Sequence, residues 1–138
     1  MRKLINFKNL KWLLFVLYIS AVLAITLLVY RGSPYAQIEL DPIASYRRAL
    51  NAPLPLARIE IRNAVLNILM FVPLGYLLPM LSKKFARLLI LLSVAFLFTL
   101  SIELLQLVTA RGVFSIEDML HNILGAAIGL LAYKVFNA

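Results

Sequence analysis

The stretch "SIELLQLVTARGVFSIEDMLHN", residues 101–122, decides how this chain folds. Glu103, Gln106, Arg111, Glu117, Asp118 and Asn122 fall within 20 residues of one another, in a sequence that is otherwise apolar. In water they would decorate a loop between two helices. In a membrane they must be sheltered together, because isolated polar groups are costly in hydrocarbon. The solvent therefore settles the reading.

The composition identifies that solvent. Apolar residues make up 63% of the 138 and charged residues 14%. A water-soluble domain is about 45–50% apolar and about 25% charged. There is too little polar surface to cover a soluble globule, so lipid must be part of the surroundings. The net charge of +8 does not imply nucleic acid, because the Lys and Arg residues gather at the ends of apolar runs, as membrane topology requires. No cysteine is present, which removes disulfides, thiolate chemistry and Cys-based zinc sites. No other cofactor is implied.

Four apolar runs follow. The first, Trp12–Tyr30, has 19 uncharged residues between Lys11 and Arg31. It exceeds the usual apolar segment of a cleaved leader, so it reads as a retained anchor. The second, Asn63–Ser82, contains Pro73 and Gly75, which predict a kink near Leu69–Pro73. The third is Leu88–Ala110 and the fourth, more polar at its start, is about Glu117–Phe136. Residues 31–62 read as one long connection, with a short amphipathic helix at Pro42–Leu50. The expected architecture is all-α: a single four-helix membrane bundle over residues 1–138.

Orientation rests on Lys and Arg. Four spans put both termini on one side. That side carries Arg2, Lys3, Lys8, Lys11, Lys83, Lys84, Arg87 and Lys134, eight in all. The other carries Arg31, Arg47, Arg48, Arg58, Arg62 and Arg111, six in all, of which Arg47, Arg48 and Arg58 lie in the interior of the long connection. Both termini are therefore expected in the cytoplasm, in the cytoplasmic membrane of a bacterium.

Helical rise then sets depth. Asn67 lies roughly 7 Å below Arg62, Glu103 roughly 12 Å below Arg111, and Asn122 roughly 7 Å below Glu117. The polar groups of three spans are thus expected in one layer, just inside the outer headgroups. Their faces agree: Asn63 with Asn67, Glu103 with Gln106 and Thr99, Asp118 with Asn122. Gly125 and Gly129 continue the last stripe as a G-x-x-x-G, which permits close helix approach and would also suit a contact between copies of the chain. Ser115, three residues before Asp118, reads as a helix cap. Glu117 reads as a favourable charge at a helix start. The single histidine, His121, with carboxylates nearby is a poor set of metal ligands, so no metal is expected.

"NILMFVPLGYLLP" (67–79), "SIELLQ" (101–106) with Arg111 downstream, and "SIEDMLHNILGAAIGLL" (115–131) together resemble the VanZ-like family of small bacterial membrane proteins. The resemblance marks Asn67, Phe71, Pro73, Gly75, Glu103, Gln106, Arg111, Asp118, Asn122 and Gly125 as signature positions. A further block usual after the family's first helix reads "ELDPIASY" (39–46) here and lacks its Phe. The family takes its name from a member tied to teicoplanin-type resistance.

Two readings of the polar layer follow. In the first, Asn67, Glu103, Gln106, Arg111, Asp118 and Asn122 line a pocket for an envelope lipid, a lipid-linked precursor or a lipid-tailed glycopeptide, with Arg111 on the anionic group. In the second, Glu103 and Asp118 are an acid/base pair acting on a lipid-linked substrate. A transporter is disfavoured, because four helices leave little room for a pathway and no inverted repeat is visible.

Overall fold

A computed structural model describes residues 7–29 and 37–137. Arg2, Lys3, Tyr30 and Arg31, used above for topology and anchoring, lie outside the described residues. The elements run α1 (Phe7–Ala24), a π-helical turn (Ile25–Val29), β1 (Gln37–Glu39), α2 (Ala44–Asn51), α3 (Leu54–Leu81), a 3₁₀ turn (Lys83–Ala86), α4 (Leu88–Val108), β2 (Val113–Ser115) and α5 (Ile116–Phe136). Four of these helical stretches are long and apolar enough to cross a membrane. Residues such as Leu89, Leu97, Leu131 and Val135 are exposed on them. That outer surface is solvated by acyl chains, so burial inside the protein is not what orders it.

The all-α expectation holds, with two differences. The first is a two-stranded parallel sheet. β1 pairs with β2 in the register Gln37↔Val113, Ile38↔Phe114, Glu39↔Ser115. It ties the segment after the first span to the start of the last. The second concerns residues 31–62, which are not one loop. α3 begins at Leu54, nine residues before its apolar run, with proline in its first turn. Proline fits there because the first amides of a helix need no partner in the preceding turn. Arg58, Glu60 and Arg62 then carry the helix through the headgroup zone. Apolarity marks where a helix enters lipid and does not mark where it starts. α2 falls close to the predicted amphipathic helix.

α3 continues unbroken through Pro73 and Pro79. Pro73 deprives the Leu69 carbonyl of its donor. In the same turn, the Tyr18 hydroxyl of α1 donates to the Met70 carbonyl at 2.9 Å.

The centre of the bundle is the pair α3 and α5, with α4 packed against α5 and α1 against α3. Phe71, Leu74, Leu91, Ala95, Ala126 and Leu130 are buried there. Glycine makes the pairing close. A Cβ on Gly125 would strike the Ile68 carbonyl, one on Gly129 the Val72 carbonyl, and one on Gly75 the Ala126 carbonyl. Backbone therefore meets backbone from both sides. The Gly125/Gly129 stripe, which permits close helix approach, packs against α3 of the same chain.

Candidate functional site

At the end of the bundle where α4 leaves and α5 enters lies a cavity of about 430 Å³. That is within the range of small-ligand pockets. Its lining comes from α2, α3, α4, α5, the π-turn and both strands. Five of the six sequence-predicted residues line it: Asn67, Glu103, Gln106, Asp118 and Asn122. One layer of polar groups from three spans is what places them together.

Each is held differently. Glu103, 3% exposed, accepts the Ser115 amide on Oε2 at 2.8 Å. The carboxylate thus binds the chain at the β2–α5 junction. Ser115 in turn caps α5, its Oγ accepting from the Asp118 amide at 3.2 Å, as the sequence spacing predicts. Asn122, 2% exposed, donates from Nδ2 to Thr99 Oγ1 of α4 at 2.8 Å, and its Oδ1 has no partner. Gln106 donates to the Thr26 carbonyl at 3.1 Å.

Arg111 is the exception. It does not line the cavity; its guanidinium donates to the Leu27 carbonyl at 2.9 Å on the exposed side. The physical reason is the π-turn at Ile25–Val29, whose wider winding offers backbone carbonyls sideways. Gln106 and Arg111 take two of them and so fasten the end of the first span to α4. Ala110, at φ 51°, turns the chain out of α4 just before Arg111, and the Arg111 amide closes the turn on the Gln106 carbonyl at 3.0 Å.

The basic residue that does line the cavity is Arg48 of α2. It bonds Glu60 of α3 at 3.0 and 3.3 Å and Glu39 of β1 at 3.2 Å. The Glu60 bond above all holds the guanidinium above its ordinary pKa, against the desolvation that would lower it. Arg48 thus clamps three elements across the mouth. Glu117, read from sequence as a simple helix-start charge, is 2% exposed and takes both the amide and the hydroxyl of Ser45. One turn on, Tyr46 pairs its hydroxyl with His121 Nε2 at 2.7 Å. Helix α2 therefore packs on α3 and is tied to the start of α5 through Ser45 and Tyr46. Sequence reading missed Glu39, Ser45, Arg48 and Glu60 because they lie in what looked like a loop. The amphipathic pattern of Pro42–Leu50 was a signal for Ser45 and Arg48 alone, and Glu39 and Glu60 had none.

The cavity lining is chemically mixed. Ile25, Leu66, Met70 and Ile102 contribute apolar surface, and five of the chain's six acidic residues (Glu39, Glu60, Glu103, Glu117 and Asp118) line it as well. Among the described residues, no three His, Asp or Glu side chains are grouped to hold a metal ion.

A family model described as VanZ/LLP1 matches residues 14–137. No curated protein and no solved structure gives a match.

Proposed function

This chain belongs to the VanZ/LLP1 family, and on that premise we propose that it binds the headgroup of an envelope lipid or of a lipid-tailed glycopeptide in an outer-leaflet cavity. The VanZ family is linked to teicoplanin resistance, and this reading places the chain's role in the same envelope chemistry. The observation that supports it is a cavity at a helix-bundle end whose lining combines apolar side chains with carboxylates and amides. An amphiphile at the boundary of headgroups and acyl chains combines the same two characters. Its head would meet the carboxylates and amides, and its tail would run past Met70 and Leu66 along α3.

The cavity faces outward if both termini are cytoplasmic. Lys83, Lys84 and Arg87 support that orientation, because they fill the short turn between α3 and α4 at the opposite end of the bundle.

The test is tolerance. Cells of a teicoplanin-susceptible host carrying the wild-type chain should grow at higher teicoplanin concentrations than cells carrying Asn67→Trp, which fills the cavity. Membrane levels and melting temperatures of the two proteins must match. Equal tolerance at equal level would overturn the reading.

A further inference from the structure

We propose that the group this cavity recognises is a primary ammonium on an amphiphile, and not its phosphate. The inference rests on the binding reading above and names the chemistry of the ligand. Among the described residues, the cations that pair with carboxylates are Arg47 and Arg48, on Asp41, Glu39 and Glu60. Glu103, Glu117 and Asp118, which also line the cavity, have no ion-pair partner among the described residues. Glu103 and Glu117 are nearly inaccessible, and buried charges without a counter-charge are strongly unfavourable.

A second observation points the same way. Asn122 lines the cavity, is 2% exposed, and leaves Oδ1 without a donor. Buried acceptors of that kind are rare unless a ligand or water completes them. The cavity thus combines carboxylates that neutral groups hydrogen-bond but no cation pairs, among the described residues, with an unfilled amide acceptor. An ammonium has three donors and no acceptor, so it satisfies both needs at once. A phosphate has acceptors only and would face the carboxylates. Arg111, the cation that would have suited a phosphate, points elsewhere, and Arg48 is committed to Glu60 and Glu39.

The test uses the full chain in nanodiscs of phosphatidylcholine. Three probes are titrated: phosphatidylethanolamine, N-acetyl-phosphatidylethanolamine and phosphatidylglycerol. Bound lipid is counted by native mass spectrometry. Phosphatidylethanolamine should bind at least about tenfold more tightly than either of the others, the size of one charge-assisted hydrogen bond. Asp118→Asn, which keeps the side-chain shape, should shrink that preference while the melting temperature holds. A single-chain amine, dodecylamine, distinguishes the source: binding of dodecylamine, lost in Asn67→Trp, with no binding of phosphatidylethanolamine would assign a free amphiphilic amine, and the ammonium reading would stand. Equal binding of all three lipids to wild type, lost in Asn67→Trp, would overturn the ammonium reading and leave the pocket. Binding equally strong in wild type and Asn67→Trp would overturn both.

Discussion

Glu117, near the start of the last span, receives both the amide and the hydroxyl of Ser45, 72 positions earlier, at 2.7 and 2.6 Å. A buried carboxylate of α5 thus ties the amphipathic helix α2 to the last span beside the candidate site. α2 packs chiefly on α3, to which it is joined by sequence, and Glu117 adds a second anchor from α5.

The first prediction follows from that carboxylate. Hydrogen bonds to charged groups contribute about 1.5–3 kcal/mol. Glu117→Ala removes two and should release α2. Hydrogen–deuterium exchange across Ala44–Asn51 should accelerate while exchange in the centre of α3 stays slow. Glu117→Gln, which keeps one acceptor, should fall between. Unchanged exchange in Glu117→Ala would show that Tyr46–His121 and the Arg48 clamp hold α2 without it.

The glycine contacts predict a graded response to added methyl groups. At Gly125 and Gly129 the new Cβ meets backbone, which cannot move alone. Gly125→Ala and Gly129→Ala should each cost more than about 3 kcal/mol, beyond ordinary overpacking. At Gly112 the neighbour is the Gln106 side chain at 3.0–3.2 Å, and Gly112→Ala should cost only about 1 kcal/mol. Melting curves in one detergent check the order. Equal losses at all three would mean that α3 and α5 are not in backbone contact.

Glu103 separates structure from chemistry. Glu103→Leu leaves the Ser115 amide without an acceptor and should cost about 1–3 kcal/mol. Glu103→Gln keeps an acceptor and should melt near wild type. An enzyme using Glu103 as its base would lose turnover altogether in Glu103→Gln, whereas a binding pocket would keep its ligand with a reduced preference for the ammonium. Teicoplanin tolerance measured alongside melting temperature distinguishes the two.

The two arginines should behave differently. Arg111→Ala unfastens the first span and should lower the melting temperature by the equivalent of about 1–2 kcal/mol, with lipid preference unaltered. Arg48→Ala leaves Glu39 and Glu60 unpaired at the mouth, and its stability effect should be smaller because the pair is half-exposed and screened by salt. It should nonetheless change ligand binding, because the clamp closes the cavity. A loss of lipid preference in Arg111→Ala at full stability would return that residue to the site.

Much of this arrangement is legible in the residues themselves. Composition alone requires lipid as solvent, and the four apolar runs locate the spans. Helical rise and alternating direction bring Asn67, Glu103, Gln106, Asp118 and Asn122 to one depth, and they line one cavity. These inferences succeed because they rest on local periodicity and on the thickness of a bilayer, neither of which needs knowledge of neighbours.

What lay beyond the sequence concerns pairing between distant elements. Residues 54–62, LPLARIEIR, set a proline and three charges among their apolar residues, so no unbroken apolar run marked that part of α3. The glycine stripe could serve any close partner, and packing decided that α3 takes it. Arg111 could reach inward or outward, and the carbonyls of a π-turn 84 positions away drew it outward. Arg48, Glu60 and Glu117 became site residues only when α2 packed on α3 and was tied to α5. A side chain's face is set by its own helix, whereas its partner is set by whichever backbone group or charge the tertiary packing leaves unsatisfied within reach.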